Sequence, residues 1–525
     1  MMTVSPAWIN RVYDIEGLSL EDRVFIPQNL KAIRLSYYFR ALKTEGLNFN
    51  LIINIVPSKG KKVITARTHE PVIFLKSLNG GHIGCISFTE KPSQIEFFND
   101  KEGDSLREGV RVTFNLNAIL QRISQLDLVI IGEQATIEDC MKNIQQALAV
   151  QYYDNEKALK EHLEGSMYLR SLRRELDQAF IWSKVQLLSS TNNSFGLRTS
   201  LRDEIFNLEK ALWCIDGLCC LGAFNIVERI LMTTSRQLIE NHPEKDHIIP
   251  LFLIGLSTYY KWKGDVDLLL ILHEEITRMV DMCNKKLETL HPIDRKLTLN
   301  ALSALGGILP DLKINAIERA STFKGVFDLL YNFTDEELKA LSAEVNVPSL
   351  MASFMSMRFF NNESHSEGLA VIESMASEIA SKSPVHPLTP RIDCLSSSLY
   401  ISSVARGLLG LNVNAEKMHI QLMPYLPMGV NELEVGNIPI SSNKLSLRLD
   451  IKGNEVNLRV NNQGSKKVNS LLGFTIKETI EEISALTDHG VIDVEIQRSK
   501  EYTKVMVRDV LEGKSTRTYT FNLKR

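Results

Sequence analysis

The sequence predicts a multidomain α+β protein with three consecutive regions. Its 525 residues exceed one typical domain of roughly 150 residues several times over. Short β-branched runs fill the first region, apolar residues three and four apart fill the second, and strand-like alternation returns in the third. We expect residues 1–135 to form an N-terminal β-sandwich, 136–415 a helical domain, and 416–525 a C-terminal β-rich module with one helix.

Strand-like runs separated by turn residues predict the β-sandwich. Turn residues such as Asn79-Gly80-Gly81 separate the earlier runs, which are mostly rich in β-branched side chains. The segment from Leu116 to Ser124 also fits a short helix, so the strand order stays open. The runs are Leu51–Val56, Val63–Ala66, Val72–Leu75, Ile83–Phe88 and Leu128–Ile131.

Helical periodicity extends from about residue 136 to residue 411. Leu172–Leu187 carries apolar residues three and four apart, and further helical stretches follow between breakers such as His242-Pro243 and Lys263-Gly264. No short repeat of the solenoid type recurs. About a dozen antiparallel helices with short loops fit either an irregular α-array or a closed α/α toroid.

The third region alternates again. In Leu445–Ile451 and Val456–Val460, apolar and polar residues alternate as in a sheet with one solvated face. Thr475–Leu486 predicts one amphipathic helix, because its apolar residues recur at helical spacing. The closing strands are expected at Val491–Gln497, Val505–Val510 and Thr516–Leu523.

Composition and charge exclude several classes of protein. The chain is 44% hydrophobic and 23% charged, which is typical of a globular protein and not of a disordered one. Sixty Lys and Arg against 63 Asp and Glu leave a net charge of −3, so no strong field attracts nucleic acid or an acidic membrane surface. We therefore expect no nucleic-acid partner and no membrane partner.

Cysteine usage and the absence of ligand motifs lead to further expectations. The seven cysteines include no C-x-x-C pair, which disfavours both a disulfide framework and a zinc site. No apolar run approaches the length of a membrane-spanning helix, and the first residues lack a signal-peptide pattern. We expect a cytoplasmic protein with no metal and no cofactor, and the oligomeric state stays open.

Several ordered segments between about residues 170 and 450 carry recognisable motifs. Leu176–Lys184 has the pattern L-x-x-A-x-x-W-x-K, and Leu201–Leu208 is similar to G-R-D-[TA]-x-x-x-L. Pro250–Asp265 is similar to P-L-F-x-x-x-L-x-x-Y-x-x-x-T-G-D. Further segments, in the matching order, are Leu297–Leu302, Pro390–Cys394 and Met423–Ile438. This ordered set resembles the debranching-enzyme (amylo-α-1,6-glucosidase) family of the six-hairpin glycosidase superfamily.

The resemblance implies a central (α/α)6 toroid of the six-hairpin glycosidase type. It also implies inverting acid/base hydrolysis of α-glucans, so the expected partner is an α-glucan or oligosaccharide. The family's general acid falls on Asp203. The base motif is not recognisable, and the nearest acidic residues are Glu378, Asp393 and Glu344, of which Glu378 and Asp393 are taken as catalytic candidates. The expected substrate contacts are Arg202, Glu204, Trp262 and Asn300.

Departures from the family pattern keep a second function open. The acidic residue of the family's V-E-V-N-A-L is Thr298, and the Gln and Trp of its Q-A-W are Ser397 and Leu399. Asp203 also fits a helix cap, and Trp262 also fits core packing between consecutive helices. The chain is therefore either a divergent debranching-type glycoside hydrolase or a catalytically inactive relative that serves as a glucan-binding or protein-interaction scaffold.

Overall fold

The computed structural model divides into two compact units, Met1–His162 and Leu163–Arg525. The domain boundaries expected at 135 and 415 stay predictions. The structure describes all residues except 1, 6–7, 16, 26–31, 43–45, 56–60, 68–71, 78–82, 103–104, 121, 151–156, 158–162, 172, 190, 193–195, 198–207, 241–245, 307, 310–333, 335, 338, 340–347, 383–393, 428, 479, 488–489, 500 and 525.

Unit 1 contains two sheets that pack face to face. The larger sheet has the order β1-β2-β3-β4-β11-β8-β7-β6, and the smaller has the order β5-β10-β9. Phe39 of β4 meets Phe49 of β5 edge-on with ring centroids 5.2 Å apart, so aromatic side chains bridge the two sheets. The strands are β1 Met2–Ser5, β2 Trp8–Ile15, β3 Leu18–Phe25, β4 Ala32–Ala41, β5 Gly46–Ile55, β6 Lys61–Arg67, β7 Val72–Ser77, β8 Ile83–Phe88, β9 Gln94–Glu102, β10 Ser105–Ile119 and β11 Ser124–Gln134.

One expectation for unit 1 fails at the end of β10. Leu116–Ile119 continue this strand, paired with β5, so the alternative of a helix from Leu116 to Ser124 is wrong. Strand alternation decides the outcome, because Ala118 is buried while Asn115 and Asn117 are exposed.

The first helix of the chain packs on the larger sheet of unit 1. Helix α1, Ile137–Ala149, begins at Thr136, whose side chain accepts a hydrogen bond from the Asp139 backbone N–H. At its other end Arg34 of β4 donates to the Leu148 carbonyl at 2.9 Å and to the Val150 carbonyl at 2.8 Å. Arg34 also binds Asp127 at 2.9 Å, so one buried guanidinium ties the helix end to two strands.

Unit 2 begins with a helical region. The apolar sides of its helices pack against one another, and their side chains form one continuous core with those of the sheets of this unit. The helices are α2 Arg174–Ser189, α3 Leu208–Trp213, α4 Ile215–Cys220, α5 Phe224–Glu240, α6 Ile248–Lys263, α7 Asp267–Ile271, α8 His273–Lys286, α9 Pro292–Gly306, α10 Pro348–Asn361, α11 His365–Lys382 and α12 Cys394–Ser402, which continues as a π-helical segment, Ser403–Leu408.

Five helical segments of unit 2 lie side by side and run in the same direction. Residue pairs that advance together show this direction. In α10 and α12, Ser349 contacts Ser396 and Ser353 contacts Ser403, with the hydroxyl oxygens 2.8 and 2.7 Å apart. Helices α3–α4 and α12 are joined by Cys214 with Cys394 and by Gly217 with Ser398. Helices α3–α4 and α6 are joined by Glu209 with His247 and by Ile215 with Gly255. The starts of α6 and α9 meet through His247 and Asp294.

We call these five segments, α3–α4, α6, α9, α10 and α12, the inner helices. Helices α5, α8 and α11 connect them along the chain. An alternation of this kind is expected for an α/α toroid, and the toroid itself stays a prediction. Closure of the arc into a ring involves residues outside the described ones, so the count of six hairpins stays a prediction.

The inner helices end against the C-terminal strands. Ser441 donates its backbone N–H to the Trp262 carbonyl at 2.9 Å, and Ala415 donates to the Lys261 carbonyl at 2.7 Å. Gly264, with φ at 66°, terminates α6, and a Cβ there would lie 3.0 Å from the Ala415 backbone. A left-handed glycine is therefore needed for this close approach.

Two further sheets form the C-terminal part of unit 2. Their orders are β12-β18-β19-β20-β26-β22-β23 and β15-β16-β21-β25-β24, with β17 beside β21. Phe474 of one meets Phe521 of the other at 5.2 Å. The strands of unit 2 are β12 Tyr168–Arg170, β13 Thr191–Asn192, β14 Gly196–Leu197, β15 Asn412–Asn414, β16 His419–Leu422, β17 Tyr425–Leu426, β18 Glu432–Ile440, β19 Asn443–Lys452, β20 Glu455–Asn462, β21 Val468–Ile476, β22 Glu482–Thr487, β23 Gly490–Val491, β24 Glu495–Arg498, β25 Thr503–Leu511 and β26 Ser515–Lys524.

The helix expected over Thr475–Leu486 is wrong. Thr475 and Ile476 finish β21, and Ile483 lies in β22 opposite Leu523 of β26. The apolar spacing of Ile476, Ile480 and Ile483 fits a helix. Instead, Ile476 lies in β21, Ile483 lies in β22, and Ile480 is buried in the core of unit 2. Pairing with β25 and β26 satisfies the backbone and outweighs the local helical pattern.

Candidate functional site

Three inner helices begin next to one another around a buried histidine. His247 stands immediately before α6, Glu209 is the second residue of α3, and Asp294 is the third residue of α9. The His247 Nε2 atom lies 2.9 Å from Glu209 Oε1, and its Nδ1 atom lies 3.9 Å from Asp294 Oδ1. The imidazole is 1% exposed. We call these three residues the helix-start cluster and this side of the inner helices the helix-start end.

The local sequence explains why the carboxylates gather here. The partial positive charge of a helix N-terminus stabilises carboxylates in its first turn, where both Glu209 and Asp294 stand. Helix α6 is buried along nearly its whole length, which fixes the position of the imidazole that precedes it. Thr298 donates its hydroxyl to the Asp294 carbonyl at 2.7 Å and holds the first turn of α9.

The segments that lead into the inner helices carry most of the residues expected at the site. Asp203, together with Arg202 and Glu204, precedes Leu208 of α3 by a few residues, and Asp393 is bonded directly to Cys394 of α12. These four residues lie outside the described ones. The described starts of α3 and α12 belong to neighbouring inner helices, and the catalytic roles of Asp203 and Asp393 stay predictions.

Trp262 lies at the other end of α6. It is 1% exposed, and the Arg406 guanidinium lies over its ring at 5.7 Å from the centroid. Fourteen residues separate it from Ile248, which is about 21 Å along a helix axis. The structure therefore does not bring Trp262 together with the helix-start cluster. Its burial favours the core-packing interpretation, and its role as a substrate contact stays a prediction.

Asn300 and Glu378 occupy two different helices. Asn300 is half-buried on α9, two turns beyond the start of that helix. Glu378 is exposed on α11, beside Ser377, whose hydroxyl lies 3.5 Å from a Glu175 carboxylate oxygen. Neither residue belongs to the helix-start cluster, and their predicted roles stay predictions.

Asp216 and Arg406 form an ion pair that is buried among the inner helices. Arg406 binds both carboxylate oxygens, at 2.5 and 3.1 Å for Oδ1 and 3.0 Å for Oδ2. The two side chains are 2% and 7% exposed. A bidentate pair at this depth fixes α4 to the π-helical segment that follows α12. The same environment raises the pKa of Cys219 and Cys220 well above its usual range, chiefly through burial. Both thiols stay protonated and inert.

Positions where the resembling family has polar site residues are buried here. Thr298, Ser397 and Leu399 are each 0% exposed. The Ser397 hydroxyl has no hydrogen-bond partner among the described residues. At these three positions the inner helices therefore carry two hydroxyl groups and one apolar side chain in place of the family's polar site residues.

Sequence reasoning missed the helix-start cluster. The sequence of His247 shows no ligand spacing, and Glu209 and Asp294 look like ordinary first-turn carboxylates. The available signal was position, because all three stand within three residues of a predicted helix start. Within the described part of the chain, no group of three or more His, Cys, Asp or Glu side chains is arranged to hold a metal ion. No described helix is long and apolar enough to cross a membrane.

Comparison with known proteins shows the fold. No family model matches the chain, and no curated protein matches its sequence. Among solved structures, a candidate kojibiose phosphorylase from the human microbiome superposes with a TM-score of 0.60 at 7% identity, covering 96% of this chain and 83% of that one. A GH92-family glycosyl hydrolase, ccman5, gives 0.40 at 9% identity, covering 98% and 85%.

A bacterial glucoamylase complexed with acarbose is also similar, with a TM-score of 0.40 at 11% identity, covering 58% of this chain and 54% of that one. The superposition on the phosphorylase over nearly the whole chain shows that this protein shares the fold of that structure. Identity this low identifies the fold alone.

Proposed function

We propose that this protein acts on an α-glucan or oligosaccharide as a divergent debranching-type glycoside hydrolase, with its site at the helix-start end. The observation that carries the proposal is the parallel register of the inner helices. That register places Cys394, the first residue of α12, beside Cys214 at the junction of α3 and α4, six residues beyond Leu208. The segment that carries Asp393 leads directly into α12, and Asp203 precedes Leu208 by five residues.

The chemistry needs one protonated and one ionised carboxyl group. In inverting hydrolysis the acid protonates the glycosidic oxygen, and the base removes a proton from a water molecule that attacks the anomeric carbon. The two groups stand about 6.5–9.5 Å apart to leave room for that water. We assign the acid to Asp203 and the base to Asp393.

The start of α12 supports the assignment of the base. Asp393 directly precedes Cys394, the first residue of this helix, and the helix dipole there favours an ionised carboxylate. Cys394 is 0% exposed and packs against Cys214, with their sulfur atoms 4.0 Å apart. The residue that follows the proposed base in the chain is therefore buried and packed.

A specific observation favours the second candidate, an inactive glucan-binding or protein-interaction scaffold. Thr298 stands where the resembling family has an acidic residue, and its hydroxyl is occupied by the Asp294 carbonyl. Ser397 replaces a glutamine and is fully buried. A toroid that has lost these polar groups keeps the fold and loses part of the substrate-orienting shell.

Hydrolysis assays on matched variants separate the two candidates. Asp203→Asn and Asp393→Asn keep side-chain volume and remove the proton donor and the base. General acid or base catalysis typically contributes about 10²- to 10⁴-fold, so each variant should release glucose from branched or linear malto-oligosaccharides more slowly by that factor. Glu367→Gln, a first-turn carboxylate of α11, is the matched control and should keep wild-type activity.

Binding measurements complete the test. Calorimetry with malto-oligosaccharide should show that both variants still bind. If the wild type binds and does not hydrolyse, the scaffold candidate replaces the hydrolase. Hydrolysis that is unchanged in Asp203→Asn overturns the acid assignment, and a wild type with neither binding nor hydrolysis overturns the carbohydrate function.

A further inference from the structure

The exposed face of the three-stranded sheet in unit 1 is rich in asparagine. Strands β5, β10 and β9 point Phe49, Ile53, Val112 and Phe114 toward the core of the sandwich. Their other side faces solvent. Five asparagines stand on that side, namely Asn48, Asn50 and Asn54 of β5 and Asn115 and Asn117 of β10. We call these five residues the asparagine face.

Strand register places the amides in rows. Asn48 is directly opposite Asn117, and Asn50 is directly opposite Asn115. Asn117 donates to Asn48 at 2.9 Å, Ser93 donates to Asn115 at 3.2 Å, and Arg111 donates to Asn54 at 3.1 Å. Neighbouring rows are about 6.8 Å apart along the strand, and neighbouring strands are about 4.8 Å apart. An amide offers two donor hydrogens and an acceptor oxygen, so this lattice keeps hydrogen-bonding capacity toward solvent.

These residues contradict the local preference of a strand. Asparagine is depleted in strands, whereas threonine satisfies the same demand for polarity and favours a strand. The buried face of the same strands follows the preference with leucine, isoleucine, valine and phenylalanine. Five departures on one face, against none among the described buried side chains of the other, indicate that the amide groups serve another purpose than folding.

Charge selects the class of ligand. Arg111 is directly opposite Glu96, so the face carries no net charge from this pair. A phosphate polymer needs a positive surface, which is absent from the described residues of this face. Among the described residues of this face, the large exposed apolar side chains are Ile52, at 53% exposure, and Ile119, at 38% and at the end of β10, which is too little apolar area for the core of a protein interface. A neutral chain with vicinal hydroxyls and small apolar C–H faces fits amides beside these isoleucines.

We infer that the asparagine face binds a neutral α-glucan chain, as a second glucan-binding surface in addition to the helix-start end. The amides exchange hydrogen bonds with ring hydroxyls, and Ile52 packs against the C–H groups of a sugar ring. The choice of an α-glucan rests on the proposed function. The neutral, hydroxyl-bearing character of the ligand rests on the face itself.

Electrophoresis in gels that contain glycogen tests the inference. The variant Asn50→Thr/Asn115→Thr replaces one opposed pair of amides by a pair that favours strands. Its stability should therefore stay equal or rise, so weaker binding is not a consequence of unfolding. Each lost hydrogen bond contributes about 1 kcal/mol, so the apparent affinity for glycogen should fall about tenfold or more.

A matched control stands in the other unit. Asn457 and Asn461 of β20 are half-exposed strand asparagines, and Asn457→Thr/Asn461→Thr should migrate like the wild type. Equal retardation of all three proteins, or no retardation of the wild type, overturns the inference. Hydrolysis of maltotriose, a ligand too short to need the second surface, separates this result from the proposed function. Loss of maltotriose hydrolysis in Asp203→Asn together with unchanged glycogen retardation leaves the asparagine face intact.

Discussion

The two ends of the inner helices use charge in different ways. Toward the C-terminal strands, Arg406 binds Asp216 in a bidentate pair and covers Trp262, so charge is neutralised and packed. At the helix-start end, His247 lies 2.9 Å from Glu209 and 3.9 Å from Asp294. One end therefore joins two helical segments through a buried bidentate ion pair, whereas the other gathers a histidine and two carboxylates at helix N-termini, where the helix dipole favours negative charge. The comparison separates an end that holds the helices together from the end to which the proposed function assigns the site.

The largest expected effect breaks the buried pair. Asp216→Asn keeps the volume and removes the negative charge that pairs with the buried Arg406 guanidinium. Removing one partner of a buried pair typically costs about 3–5 kcal/mol, so the free energy of unfolding measured in urea should fall by that amount. Glu495→Gln removes the carboxylate of an exposed bidentate pair with Arg508, 2.7 Å at its shorter contact, and should leave the unfolding midpoint unchanged. Equal effects of the two substitutions would mean that the Asp216 pair is not structural.

The next effect tests how closely α4 approaches α12. A Cβ on Gly217 would lie 2.7 Å from the Ser398 carbonyl oxygen, which is backbone and cannot turn away. Gly217→Ala should therefore lower the free energy of unfolding by about 1–3 kcal/mol in urea denaturation, because the two inner helices must separate. Gly165→Ala, whose nearest neighbour is a lysine side chain at 3.9 Å, is the control. A neutral Gly217→Ala would show that this register of the inner helices is incorrect.

Lys184 is a further buried charge that sharpens the comparison. Among the described residues, its hydrogen-bond acceptors are backbone carbonyl oxygens. It donates to the Met167 carbonyl at 2.9 Å and lies 3.3 Å from the Ser166 carbonyl. Burial lowers the pKa of Lys184 from 10.5 to about 8, although the negative charge of Glu164 acts to raise this pKa. Between these two values the unfolded chain binds a proton that the folded chain does not, so stability rises with pH by up to about 1.4 kcal/mol per pH unit.

The matching measurement is the free energy of unfolding of the wild type and Lys184→Met from pH 7 to pH 10. The wild type should gain stability relative to the variant as pH rises above 8. Lys467→Met, at an exposed lysine, provides the reference slope. Parallel curves for wild type and Lys184→Met would place the Lys184 ammonium in a solvated environment.

The smallest expected effect concerns the helix-start cluster. His247→Gln keeps a hydrogen-bonding group toward Glu209 and loses the contact with Asp294. A single replaced hydrogen bond is worth about 1 kcal/mol, so the free energy of unfolding measured in urea should fall by about that amount, less than for Asp216→Asn. His291→Gln, at an exposed histidine that stands in the same place before α9, should have no effect. A loss as large as that of Asp216→Asn would remove the distinction between the two ends.

Sequence patterns predicted many of the strands and helices but fewer of the contacts between them. The runs Ile83–Phe88 and Leu128–Ile131 lie in β8 and β11, because β-branched alternation at a sandwich core agrees with the local preference. Thr475–Leu486 was misjudged, because long-range pairing with β25 and β26 reverses a helical pattern. The roles of Asp203 and Asp393, which follow from motif order, stay predictions because both residues lie outside the described ones. The helix-start cluster did not, because it depends on which helices are neighbours.

The most direct test of the helix-start end is hydrogen–deuterium exchange with and without maltotetraose. The first N–H groups of a helix have no intrahelical partner, so a bound ligand slows their exchange strongly. We expect slower exchange at the first turns of α6 and α9, from the amides of Ile248 and Ile293 onward, and unchanged exchange at Trp262–Gly264. Unchanged exchange at both first turns, or protection confined to Trp262–Gly264, would contradict a carbohydrate site at the helix-start end.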